Sequence, residues 1–253
     1  MQSKVLGIIP ARYASTRFPG KPLALIRGKS MIMRVYERAK ECSSLSRVIV
    51  ATDDQRIFSH VSESGGEVMM TSAEHRSGTE RIGEAVNLIR AEEPGSVYDL
   101  VVNIQGDEPL LNPLQIDEVL KCFSDPSVQI GTLMKIITEK DELFNPNVVK
   151  LVTDRQGRAL YFSRSPIPFL RGVPEQQWKD DHPYFKHIGI YAYRTEVLRE
   201  LVSLPAATLE LAESLEQLRW LEHGYRIQVE QTDTESVAVD TPEDLLKFTN
   251  NIA

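Results

Sequence analysis

The chain has 253 residues with 42% apolar and 26% charged side chains, proportions that exclude disordered, collagen-like and membrane-embedded classes and allow one large α/β domain or two small ones. A net charge of −7 excludes a general nucleic-acid binder, and no apolar run approaches the ~20 residues of a membrane span. The first residues carry neither the apolar core nor the cleavage site of a secretory signal, so the expected location is the cytoplasm. Charge is unevenly placed: residues 1–40 hold nine Lys or Arg against one acid, Glu37, while the remainder carries −15. A basic beginning on an acidic protein points to a local site for a small polyanion. A solvated basic helix face is the alternative, which suits Arg34, Arg38 and Lys40 but not Arg12, Arg17 and Lys21, which fall in a loop. Cys42 and Cys122 are far apart, with no CxxC spacing and no neighbouring His, so they read as buried or half-buried free thiols.

Along the chain, Val5–Ile9 reads as a buried strand, followed by a Pro/Gly-rich loop and a helix over Met31–Lys40. Arg47–Thr52 is a second strand, Asp54–Glu63 an amphipathic helix ended by Gly65–Gly66, and Val68–Met70 a third strand. Ser77 and Glu80 have capping-box spacing at the start of the next helix. Leu100–Gln105 is a strand apolar on both faces, and Asn112–Pro113 opens a helix through Phe123. This βαβα rhythm predicts an α/β fold with a parallel, doubly wound sheet over roughly residues 1–125. From Gln129 the pattern changes. Gln129–Ile137, Val148–Val152, Ala159–Phe162 and Phe185–Tyr193 are strand-like with fewer helices between them, which predicts a mixed or antiparallel extension. Helices are expected over Glu213–His223 and Thr241–Asn250, with strand Ile227–Gln231 between them. Residues 171–183 are polar and Pro-rich, and read as an exposed loop. No linker divides the chain.

The segment IIPARYASTRFPGKP, residues 8–22, follows the first strand, at the end where open α/β sheets bind ligands. It is neither a Walker A loop nor a GxGxxG turn. It nevertheless concentrates phosphate-binding groups: Arg12, Arg17 and Lys21 as cations, Ser15 and Thr16 as hydroxyl donors, Gly20 for close approach. Asp107 in QGDEP also ends a buried strand, and Asp240 precedes the helix start Thr241-Pro242-Glu243-Asp244. Read alone, each aspartate is a polar turn or a helix cap. Ser77-Gly78-Thr79-Glu80-Arg81 opens a helix whose N–H groups favour acceptors, with or without a ligand.

The loop at 8–22 resembles the signature of nucleotidyltransferases with a Rossmann-like fold, specifically the 3-deoxy-manno-octulosonate cytidylyltransferase (CMP-Kdo synthetase) family. ATDD at 51–54, HRSGTERIGEA at 75–85, NIQGDEPL at 103–110, FNPNVVK at 144–150 and YFSRSPIP at 161–168 resemble it too. So do KHIGIYAYR at 186–194, LELAESLEQLRWLEHG at 209–224 and VDTPEDL at 239–245. Together they span almost the whole chain in order; the loop at 169–183 is least similar, and no site residue is carried into it.

The resemblance implies a three-layer αβα nucleotidyltransferase domain over 1–253, with a mixed, mainly parallel central sheet and a small antiparallel extension. Residues 1–125 would be mainly nucleotide-binding, and 126–253 mainly sugar-binding and dimerising. It implies transfer of CMP from CTP to the anomeric hydroxyl of Kdo, with pyrophosphate released, for lipopolysaccharide biosynthesis. Magnesium would be held by Asp107 and Asp240, and the protein would be a homodimer. The implied catalytic set is Arg12, Lys21, Asp107 and Asp240. CTP would be bound by Pro10, Ala11, Arg12, Ser15, Thr16, Arg17, Lys21, Ser77, Gly78, Arg81 and Gln105. The acidic sugar would meet Gln105, Arg164, His187, Tyr191, Glu216 and Gln217. By residue type alone, His187 is a core histidine and Glu216 and Gln217 a solvated helix face, whereas Arg164 suits a carboxylate through a bidentate fork. No Ser/His/Asp or Cys/His set suggests a covalent intermediate. A glycosyltransferase would need a DxD motif, which no suitable strand precedes, and the retention of Arg12, Lys21, Asp107 and Asp240 speaks against a silent nucleotide sensor.

Overall fold

The computed structural model describes residues 3–14 and 18–251. Its elements begin with β1 (Val5–Ala11), the hairpin strands β2 (Leu25–Ile26) and β3 (Lys29–Ser30), α1 (Met31–Lys40), β4 (Arg47–Thr52) and α2 (Gln55–Glu63). Next come β5 (Val68–Met70), α3 (Gly78–Glu92), β6 (Leu100–Asn103), α4 (Pro113–Lys121), β7 (Ile130–Ile136), α5 (Lys140–Phe144) and β8 (Lys150–Thr153). The chain continues through β9 (Ala159–Ser163), α6 (Trp178–Asp181), β10 (Phe185–Arg194), α7 (Thr195–Leu201) and α8 (Thr208–Glu213). It ends with α9 (Gln217–Glu222), β11 (Ile227–Gln231) and α10 (Pro242–Asn251). Two compact units result: Met1–Asp117 with Tyr193–Val202 and Ser236–Ala253, and Glu118–Ala192 with Ser203–Glu235. The first unit takes up two segments from later in the chain.

In the first unit, β4 and β6 flank β1 and β5 lies beyond β4, every pair parallel. The reason is visible in β1, where Val5, Leu6, Ile8 and Ile9 are all buried; only a strand covered on both faces tolerates such a run. Helix α1 buries Met31, Ile32, Met33, Val35, Tyr36 and Ala39, the stripe expected of a helix packed on a sheet. Ser77 caps α3 by accepting the Glu80 N–H at 3.2 Å. Glu80 reaches back to the Arg76 N–H at 2.7 Å, so the box is shifted by one residue from the usual reciprocal form. At the start of α10, the Thr241 hydroxyl accepts the Asp244 N–H at 3.2 Å while the Asp244 carboxylate accepts the Thr241 N–H at 3.1 Å. Just upstream, Val239 is fully buried with Ile26 and Met31, and its N–H donates to the Asp107 carbonyl at 2.9 Å. That packing fixes the backbone on which Asp240 sits.

The second unit is mixed. Strand β11 pairs in parallel with β7, while β8 runs antiparallel to both β9 and β10. The chain is thus an α/β protein with a mostly parallel sheet, and with antiparallel pairing in the short β2–β3 hairpin and among the later strands β8, β9 and β10. Two expectations need correction. The helix expected over Glu213–His223 is broken: Ser214 takes a left-handed backbone (φ 52°) and α9 starts at Gln217. The turn at Ser214 sets α8 against α9, and the Arg219 guanidinium on α9 clasps the Glu210 carboxylate on α8 at 2.6 and 2.7 Å. Residues 171–183 are not simply an exposed loop. Helix α6 buries Trp178 to 3% exposure, its indole N–H donates to the Val173 carbonyl at 2.9 Å, and Phe144, Phe169 and Tyr184 surround its ring.

Both cysteines are buried and free, and burial pushes the Cys122 thiol up to about 12. Among the described residues no helix is long and apolar enough to cross a membrane.

Candidate active site

A cavity of about 360 Å³ opens in the first unit at the C-terminal end of its parallel strands. Pro10 and Ala11 end β1 and form its floor, and Arg12 leaves along one side. The loop returns through Gly20, whose backbone is left-handed (φ 74°) and whose N–H donates to the Tyr13 carbonyl at 2.9 Å. A Cβ at Gly20 would lie 3.0 Å from the Tyr13 ring, so glycine is required by both conformation and space. Lys21 then enters the cavity. Ser77, Gly78 and Arg81 bring the start of α3, and Gln105, Gly106 and Asp107 bring the loop after β6. Close approach again needs glycine, since a Cβ at Gly106 would be 3.0 Å from the Pro10 carbonyl oxygen. Asp240 completes the wall. Every described residue expected to bind CTP thus lines one cavity; Ser15, Thr16 and Arg17 lie outside the described residues. His75, Arg76, Pro22 and Gly106 line it as well and were not expected. The signal for His75 and Arg76 lay in the HRSGTER motif, but cap logic starts only at Ser77.

The Lys21 ammonium donates to Asp107 at 2.8 Å and to Asp240 at 3.3 Å. Two carboxylates from remote parts of the chain therefore converge on one cation. Magnesium asks for one or two protein carboxylates, the rest of its shell being phosphate and water, and this donor set fits that demand. No group of three or more His, Cys, Asp or Glu suited to a metal occurs among the described residues, so an all-protein cage is not what the chain offers. Beside Asp107, burial pushes the Glu108 carboxyl up to about 7, with the charge of Asp107 adding to the effect.

Arg81 is 3% exposed and is held by Asp53 (2.9 Å), the Thr71 hydroxyl (2.6 Å) and the Ser72 carbonyl (3.3 Å). His75 is bonded through Nε2 to Glu84, which also accepts the Ser72 N–H at 2.8 Å. Burial opposes the charge on Glu84, but these bonds prevail and hold its carboxyl below the usual range.

The residues expected to meet the sugar, Gln105 apart, are in the second unit. His187 and Tyr191 lie on β10 with ring centroids 5.2 Å apart, and Tyr191 meets Trp220 of α9 edge-on at 5.1 Å. The Thr132 hydroxyl is 2.9 Å from the His187 Nε2. Burial drives His187 down to about 3, so it is a neutral imidazole at working pH. Gln217 opens α9 and is buried, with Glu216 just ahead of it. Arg164 does not present an open fork. Its Nε and two terminal nitrogens donate to the carbonyls of Glu213 (2.7 Å), Pro146 (3.0 Å) and Ser214 (3.3 Å). The Arg164 carbonyl in turn accepts from Lys150 at 2.5 Å. Lys150 is fully buried and also donates to Asn145 and Val148; burial, with the nearby Arg164 charge, lowers it to about 8.

Residues 6–229 match the cytidylyltransferase family model. The chain is 54% identical to a 3-deoxy-manno-octulosonate cytidylyltransferase of Parabacteroides distasonis, over 96% of each chain. It is 52% identical to the enzyme of that name from Porphyromonas gingivalis, over 98% of this chain and 96% of the other. Among solved structures it is similar to CMP:2-keto-3-deoxy-manno-octonic acid synthetase complexed with CTP, with a TM-score of 0.89, 41% identity and 98% of each chain covered. A 4-diphosphocytidyl-2C-methyl-D-erythritol synthase shares the fold at a TM-score of 0.64 and 11% identity. With a cavity of this composition and relatives this similar over their full length, the chain belongs to the 3-deoxy-manno-octulosonate cytidylyltransferase family of the cytidylyltransferases.

Proposed function

We propose that this protein transfers CMP from CTP to the anomeric hydroxyl of Kdo and releases pyrophosphate, as a magnesium-dependent cytoplasmic homodimer whose product serves lipopolysaccharide biosynthesis. The observation that carries this reading is the single cavity in which a cationic loop, a helix N-terminus and two carboxylates on one ammonium meet.

In this reading the helix start at Ser77–Arg81 and the β1 end at Pro10–Ala11 take the cytosine. Arg12 and Lys21, with Ser15, Thr16 and Arg17, take the triphosphate. Asp107 and Asp240 hold magnesium, which would supply charge neutralisation at the reacting phosphate. Both substrates are anions, so bringing them together requires cations, and positioning with electrostatic stabilisation carries most of the catalysis. Arg12 and Lys21 offset the charge that develops on the departing pyrophosphate. Gln105, Arg164, His187, Tyr191, Glu216 and Gln217 take the sugar. His187, being neutral, contributes hydrogen bonding there and no charge. Arg164 orders the Pro146 and Glu213–Ser214 backbone around it.

Pyrophosphate release, measured with CTP, Kdo and magnesium each omitted in turn, tests this reading. Release should require all three. CTP should far outperform ATP and GTP, because a pocket that pairs a pyrimidine edge leaves polar groups unpaired against a purine. Equal turnover with ATP, or a preference for a nine-carbon acidic sugar over Kdo, would remove the assignment.

A further inference from the structure

Arg81 sits in the first turn of α3, where the helix dipole opposes a positive charge. It is nevertheless almost fully buried and lines the cavity. Three contacts make this possible, and all come from the ends of adjacent strands. Thr52 of β4 is in register with Met70 of β5, so the next residues, Asp53 and Thr71, emerge side by side at one sheet edge. Asp53 forms the ion pair, while Thr71 and the Ser72 carbonyl take one terminal nitrogen. A guanidinium has five N–H donors in a fixed fork. With these three contacts made, the group is locked in plane and its charge is balanced. These bonds leave further N–H donors on a side chain that lines the cavity.

A charge-balanced, immobile donor suits an uncharged carbonyl better than a phosphate. The cations that suit phosphate are elsewhere in the same cavity: among the described residues neither Arg12 nor Arg76 is ion-paired. We propose that Asp53 and Thr71 are positioning residues that dedicate Arg81 to the pyrimidine base and withhold it from the triphosphate. This rests on the reading that the cavity takes CTP.

Inhibition against CTP by two probes separates the ends of the cavity: CMP, which carries the base, and inorganic tripolyphosphate, which lacks it. Asp53→Asn should raise the CMP inhibition constant about tenfold, equivalent to losing one charge-assisted contact, while the tripolyphosphate constant moves less than about twofold. Thr71→Val, which keeps the side-chain volume, should give about threefold on CMP alone. KM for CTP should follow the CMP constant, with kcat nearly unchanged. A merely structural role would lower the melting temperature and weaken both probes together, and that result overturns the proposal. So does an unchanged CMP constant in both variants. If Asp53→Asn fails to fold, Thr71→Val carries the same test. Arg81→Gln distinguishes the layers: if it leaves both probes unaffected, the cavity is not the CTP site. If it weakens CMP while Asp53→Asn and Thr71→Val do not, only the positioning role falls.

Discussion

The cavity of the first unit and the polar cluster of the second use charge in opposite ways. Around the cavity, charges face an opening: Lys21 bridges Asp107 and Asp240, and Arg12 and Arg76 line the wall. In the cluster, charges are satisfied by the protein itself. Arg164 donates to three main-chain carbonyls, Lys150 to three more, and His187 is neutral among aromatic rings. Buried polar groups that are fully paired rigidify their surroundings. The first region therefore leaves charge facing an open cavity, and the second is a scaffold whose polar groups are paired within the protein.

The sharpest way to break this contrast is to alter one carboxylate of the cavity. Asp240→Asn keeps shape and removes charge, so it should cost about 3–4 kcal/mol in the barrier, a loss of roughly a hundredfold to a thousandfold in turnover. Its thermal stability should stay close to wild type, since the Lys21–Asp240 pair is partly exposed. Wild-type turnover by Asp240→Asn in limiting magnesium would reduce Asp240 to a helix-start residue.

In the scaffold the same logic predicts a stability effect. Arg164→Ala leaves the carbonyls of Glu213, Pro146 and Ser214 without these donors and should cost about 1–3 kcal/mol by denaturant unfolding. The apparent constant for Kdo should rise while that for CTP holds. If only the CTP constant rose, the sugar pocket would be misplaced.

His187 sharpens the comparison through pH. Its folded value of about 3 lies below the ordinary 6.5. Between those values the unfolded chain binds a proton that the folded chain refuses. The stability tied to His187 is thus intact above pH 6.5 and is lost as pH falls towards 3, by at most about 1.4 kcal/mol per pH unit. His187→Gln should flatten that part of a melting-temperature profile, and an unchanged slope would show that the acid sensitivity comes from elsewhere. The smallest effect is at Ser214, whose left-handed backbone (φ 52°) strains an L-residue. Ser214→Gly should relieve up to about 1 kcal/mol and raise the melting temperature slightly, with sugar affinity unchanged.

Much of the fold was legible before any coordinates. Met31–Lys40, Arg47–Thr52, Val68–Met70 and Ile227–Gln231 fall where apolar periodicity puts them, and Ser77 and Thr241 cap helices as their neighbours dictate. The break at Ser214 was not legible, because Glu213–His223 has good local helix character and the left-handed turn that lets Arg219 clasp Glu210 leaves no mark in it. Trp178 was hidden for a similar reason. Its polar, Pro-rich surroundings read as loop, while the aromatic partners that bury it come from other parts of the chain.

The candidate site divides along the same line. Sequence by itself showed that residues 8–22 gather donor types suited to phosphate at the end of a buried strand, because residue types and glycine positions are properties of a short segment. Tertiary structure decided which partners those donors meet: Lys21 finds Asp107 across 86 residues and Asp240 across 219, and Arg81 finds Asp53 across 28. Capping and periodicity act over one or two helical turns. Ion pairs act wherever strand order brings two ends together, and that order comes from burying β1 between its neighbours rather than from the charged residues themselves.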